Sequence, residues 1–83
     1  MKTITVFRFF KDEVIALFPH IGFVSNYMVM SYAHVGQHSE CDYSYIVAHS
    51  RLATKEEYES LAKELKEVGY DIDVRSRAKC IFN

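Results

Sequence analysis

Residues 54–69, TKEEYESLAKELKEVG, are the part of this chain most tightly committed to one conformation. Thr54 followed by Glu57 fits the capping box, in which hydroxyl and carboxylate each satisfy the other's orphan backbone donor. Tyr58, Leu61, Ala62, Leu65 and Val68 then recur at helical spacing and form one apolar stripe. Glu59 and Lys63 are placed as an i,i+4 pair in the better orientation. Gly69 supplies the usual stop. The spacing therefore predicts a helix over 55–68, and its stripe has to be covered by something.

The remaining sequence offers only strands as cover. Residues 3–10, TITVFRFF, are β-branched and aromatic. A polar tip, KDE at 11–13, separates them from VIALF at 14–18, which predicts a β-hairpin ended by Pro19. YMVMSYAHV at 27–35 reads as a third strand. YSYIVAHS at 43–50 reads as a fourth, after the polar loop GQHSEC. The last, YDIDVRSRAK at 70–79, alternates cleanly, with Ile72 and Val74 on one face and Asp71, Asp73, Arg75, Arg77 and Lys79 on the other. The order is β-β-β-β-α-β. The expected fold is α+β, an antiparallel sheet of four to five strands with one amphipathic helix on one face.

TITVFRFF adds a constraint, because it is apolar on both parities: Ile4, Val6 and Phe10 on one, Phe7 and Phe9 on the other. Either that strand is central with both faces covered, or one face makes a subunit contact. With a single helix to cover one face, self-association as a homodimer is the expectation.

Eighty-three residues make one domain, and 49% hydrophobic with 14% aromatic composition is that of a folded chain. A net charge of −1 carries no whole-chain signal for nucleic acid, membrane or acidic substrate. Cys41 and Cys80 are too few for a disulfide framework and too far apart for a CxxC motif. Neither a secretory leader nor a long apolar span is present, so a cytoplasmic protein with reduced thiols is expected.

The segment SYAHVGQHSECDYSY, residues 31–45, concentrates chemistry-bearing side chains. His34, His38 and Cys41 are spaced H-x3-H-x2-C, with His49 and Cys80 as further donors, and zinc accepts such ligands. In strand-like surroundings the spacing matches no strong template, and no second close pair exists. Cys41 with a histidine and Asp42 also resembles a thiolate–imidazole arrangement. No nucleophile elbow or Gly-rich oxyanion loop accompanies it. The reading adopted is a polar loop with two strand shoulders, no cofactor and no catalytic residues. Loops on a rigid scaffold carry recognition, and tyrosines anchor interfaces at low entropic cost. Each of Tyr32, Tyr43 and Tyr45 is equally readable as a half-buried core ring with a wet hydroxyl.

Arg75, Arg77 and Lys79, with Arg8, Lys11 and Arg51, would make a basic patch. Cations beside aromatic faces suit single-stranded RNA or DNA. Against this, Asp71 and Asp73 repel phosphate on the same strand, and alternating charge is also how edge strands resist aggregation. The glutamates of the helix give an acidic outer face.

The runs KDEVIALFP, SYAHVGQH and ATKEEYESLAKELKEVGYDIDV resemble a group of small uncharacterised proteins of Bacteroides-type genomes and their phages and mobile elements. The likeness spans roughly residues 3–75 and departs from the group in the tail RSRAKCIFN. It implies no activity, cofactor or catalytic residue. It does imply a mobile-element setting, in which small proteins bind host macromolecules, including as anti-defence (anti-CRISPR-type) inhibitors. The function expected is thus a non-enzymatic binding module acting through a protein interface. Its partner would be a host protein or ribonucleoprotein, with no membrane contact. Tyr32, His34, His38, Tyr43 and Tyr45 are the expected contacts, and Arg75 and Arg77 the rim charges. Single-stranded nucleic-acid binding through the basic strand is the alternative, and a zinc or Cys-dependent protein centred on 34–49 the next.

Overall fold

Val6 and Phe7 are neighbours in sequence and point to opposite faces of a strand, and both are 1% exposed. The computed structural model, which describes residues 2–23, 28–33 and 37–79, shows how both are buried. The strand β1 (Thr3–Phe10) lies inside the sheet, and each face is covered by different elements.

β2 (Glu13–Phe23) pairs antiparallel with β1, from Val6 opposite Leu17 to Phe10 opposite Glu13. β3 (Met28–Ala33) and β4 (Gln37–Cys41) continue the sheet antiparallel beyond β2. The other edge of β1 is shared. β5 (Arg51–Leu52) pairs antiparallel with its C-terminal half, and β6 (Ile72–Val74) pairs parallel with its N-terminal half. Two helices complete the chain, α1 (Tyr43–Ala48) and α2 (Lys55–Val68). The chain is α+β, as the sequence predicts, with one main helix on an antiparallel sheet to which β6 adds a parallel pair.

α2 forms where its caps and stripe place it. The Thr54 amide donates to Glu57 Oε1 at 2.8 Å and the Glu57 amide to Thr54 Oγ1 at 3.3 Å, which closes the capping box. Gly69 ends the helix at φ 119°, where a side chain would be strained. Leu61 and Leu65 are fully buried against Phe7, Ala16, Phe18 and Tyr32. Two ring stacks pin the helix and its exit. Tyr58 lies on Phe7 with centroids 4.4 Å apart, and Tyr70 on Phe18 at 5.0 Å.

The opposite face is where the structure departs from expectation. Residues 43–50, expected as the fourth strand, instead contain α1, and the segment 37–41, expected as loop, is β4. Asp42 caps α1 by accepting from the Tyr45 amide at 3.2 Å. Tyr43, Ile46 and Val47, at helical spacing, pack on Val6, Leu17, Val29 and Cys41. Tertiary packing thus overrides the β-propensity of YSYIVA. Arg8 secures the end of this helix. Its Nη2 donates to the carbonyls of Val47 at 3.1 Å and Ser50 at 2.7 Å, and its Nε to Ser50 Oγ at 2.9 Å. The Val47 carbonyl is among the groups a helix C-terminus leaves unpaired.

Three further differences follow from backbone chemistry. Pro19 does not end its strand. β2 runs on to Phe23 across a register shift between Phe18 and Gly22, a bulge that tolerates the missing N–H. The last strand stops at Val74, and residues 75–79 leave the sheet. There Ala78 packs on the α1 core, and its carbonyl accepts from the Tyr43 hydroxyl at 2.9 Å. Finally, the expectation of self-association through a bare face of TITVFRFF loses its premise, because α1 and this tail supply the second cover.

Candidate interaction surface

The hairpin joining β1 to β2 turns on two residues, Lys11 and Asp12, at φ 49° and 63°. Both lie in the left-handed region that a two-residue type I′ connection requires and that Asn and Gly fill best. Asp12 is a natural occupant of that region and Lys11 is not, so the strain of the turn rests on Lys11. Just before it, Phe9 and Phe10 point to opposite faces, and both remain partly exposed.

A cation covers each ring. Lys11 Nζ lies 5.2 Å from the Phe10 centroid, and the Arg51 guanidinium 4.3 Å from that of Phe9. On the Phe10 side, Tyr45 of α1 meets the ring edge-on at 6.4 Å and stacks on His49 at 4.2 Å. Tyr45 is 50% exposed. Leu52, opposite Arg8 on the adjoining strand, is 43% exposed. One end of the molecule therefore presents aromatic, aliphatic and cationic groups together, on rigid elements.

Hydrogen bonding fixes the groups at this end. The Tyr45 carbonyl can only accept, so the 2.8 Å contact with His49 Nδ1 places the ring proton there. In neutral His49 the acceptor is then Nε2. Arg51 is oriented by a bidentate pair with Glu57, at 2.7 and 2.6 Å. The Arg51 hydrogen bond, followed by the bond from the Thr54 amide, holds the Glu57 carboxyl down at about 2 from its ordinary 4.5.

The residues expected as contacts do not gather in one place. Tyr32 is a core residue, 1% exposed, whose hydroxyl donates to Glu64 Oε2 at 2.5 Å. His38 is exposed on the same face, edge-on to Tyr32, with Nε2 2.9 Å from the Tyr70 hydroxyl. Tyr43 is buried on the other face, in α1. Of the three tyrosines, Tyr45 alone is a surface group. His34 and Cys80 lie outside the described residues. Arg75 is exposed but engaged by Asp73 at 3.1 and 2.8 Å, and this bond lowers the Asp73 pKa, with Lys2 assisting. Arg77 is exposed beyond the end of β6, off the face on which it was expected.

The expected metal and thiol constellations meet a simple obstacle. His38 and Cys41 are three residues apart on β4, so they face opposite sides: His38 lies opposite Tyr32 and Cys41 opposite Val29. Cys41 is buried. Among the described residues no group of three or more His, Cys, Asp or Glu side chains gathers for a metal ion. No described helix is long and apolar enough to cross a membrane.

Sequence reasoning passed over Phe9, Phe10 and His49 as surface groups. The signal available was the Phe-Phe doublet running straight into Lys-Asp, with Tyr45 and His49 four apart. Comparison with protein-family models, curated proteins and solved structures returns no match.

Proposed function

We propose that the protein is a non-enzymatic binding module that grips a protein partner with its hairpin end. The observation that carries this reading is the pair of cation-capped rings, Lys11 on Phe10 and Arg51 on Phe9, beside the exposed Tyr45. Interface anchors are characteristically aromatic rings and arginines whose positions are fixed before binding. Strain stored in the Lys11–Asp12 turn is a further mark of a site kept for function.

Protein is favoured over nucleic acid because phosphate recognition needs uncommitted cations. Of the six cations of the expected basic patch, three, Arg8, Arg51 and Arg75, are held by groups of this chain. The sequence resemblance to mobile-element proteins supports a host protein or ribonucleoprotein as the partner, and an anti-defence role for the contact.

The test is capture from a lysate of the source cells with tagged wild type and with Tyr45→Ala/His49→Ala, each with and without nuclease. A stoichiometric protein that survives nuclease and is lost from the double variant supports the reading. Loss of all captured material on nuclease treatment transfers the site to nucleic acid.

A further inference from the structure

β6 is an edge strand with a defined pattern of outward groups. The Asp71 carbonyl accepts from the Thr3 amide at 2.7 Å, and the Arg75 amide donates to the Thr5 carbonyl at 2.9 Å. The alternation of a parallel ladder therefore turns the N–H and C=O of Ile72 and Val74 away from β1. Among the described residues, no strand pairs with that edge. Beside it runs a groove of about 730 Å³ whose floor includes Tyr58, Ala62, Ile72 and Val74, with Val74 41% exposed.

The helix side of this groove carries Lys55, Glu56, Glu59, Lys63 and Lys66. After Lys55 come two acids followed by two bases, symmetric about Leu61. A second α2 laid antiparallel about a two-fold axis at Leu61 sets Glu56 against Lys66 of the second copy, and Glu59 against its Lys63. Each pair occurs twice. Within one chain, Glu59 and Lys63 do not close the ion pair their spacing allows, since the ion pairs recorded among the described residues include neither. The tight Gly69 turn returns β6 alongside α2, where Ile72 and Val74 line the groove together with Tyr58, Ala62 and Lys63.

We infer that this edge joins two copies of the chain through antiparallel pairing of β6 with β6, with the two α2 helices side by side. Centred on Asp73, the register sets Ile72 opposite Val74 of the second copy, and these pairs exchange four backbone hydrogen bonds. On the far face of the sheet, Asp71 comes opposite Arg75 of the second copy. The two Asp73 carboxylates meet at the axis, each already paired with its own Arg75. The interface is isologous, as two-fold symmetry requires. It uses the part of the edge beside the N-terminal half of β1, whereas Arg51 and Leu52 of the hairpin surface lie beside the C-terminal half.

Sedimentation equilibrium on the full chain, over a series reaching about 1 mM, tests this contact. Wild type is expected to dimerise. Glu59→Lys and Lys63→Glu, taken singly, place like charges across the axis and are expected to weaken the dimer by about tenfold or more. The double variant E59K/K63E restores the palindrome and is expected to restore the dimer. Val74→Pro removes an outward N–H that β1 does not use, and is expected to be monomeric with an unchanged circular dichroism spectrum. A monomeric mass for wild type throughout the series overturns the inference. So does a dimer indifferent to both single charge reversals.

Discussion

The Tyr32 hydroxyl donates to the Glu64 carboxylate at 2.5 Å, tying the middle of the sheet to α2 from a ring that is 1% exposed. A hydrogen bond to a charged acceptor contributes more than a neutral one. Tyr32→Phe keeps the packing and removes the donor, while water can still reach the partly exposed Glu64. The expected loss is about 1–2 kcal/mol in urea unfolding. Partner capture is expected to be unchanged, because this tyrosine belongs to the core.

Arg8 is expected to be a larger structural determinant than its charge suggests. It ties down the end of α1 with three hydrogen bonds, from Nη2 to the Val47 and Ser50 carbonyls and from Nε to the Ser50 hydroxyl. Arg8→Lys retains the charge and cannot reproduce the fork. Both Arg8→Lys and Arg8→Ala are expected to cost about 2–3 kcal/mol, measured by chemical denaturation. In hydrogen exchange, the amides of α1 should open before those of α2. A surface role in binding phosphate would instead leave stability unchanged.

The hairpin turn offers the converse experiment. Lys11 and Asp12 both sit at positive φ, where Asn-Gly is the preferred pair. Lys11→Asn/Asp12→Gly is expected to raise stability by about 1 kcal/mol. Losing the cation over Phe10 should at the same time weaken partner capture. Gain in one property and loss in the other is the signature of strain retained for function.

Acid stability should carry the mark of Glu57. Its folded pKa, about 2, lies below the ordinary 4.5 because Arg51 and the Thr54 amide bind the charged form. A depressed carboxyl contributes stability that is fully present above its unfolded pKa and is lost as pH falls through the folded one. The melting temperature is therefore expected to decline between about pH 4.5 and about pH 2. Glu57→Gln should start lower at neutral pH and flatten that decline. High salt should shrink the difference, since the pair is solvent-facing.

How much of this was legible in sequence depends on whether a segment's own chemistry decides its structure. α2 was readable to its caps because Thr54, Glu57 and Gly69 are local signals. The first strand and its hairpin were readable for the same reason. α1 was not, because YSYIVA favours a strand by propensity and becomes a helix only where Tyr43 and Ile46 find the core behind β1 and β2. β4 was hidden by its polar composition, which is what an edge strand needs. Periodicity alone could not separate Tyr32 and Tyr43, which are buried, from Tyr45, which is exposed. That depends on where α1 packs. The basic stripe failed for a related reason: alternation placed Arg75 and Arg77 together, but the strand ends at Val74.

Site-specific photo-crosslinking puts the central claim to its most direct test. A benzoylphenylalanine replaces Tyr45 in one protein and Glu40, on the far β4 edge, in another, and both are irradiated in a lysate of the source cells. The expected result is a discrete protein adduct from position 45, resistant to nuclease, and none from position 40. Adducts from position 40 alone, or adducts at 45 that consist of nucleic acid, would contradict a protein-binding hairpin end.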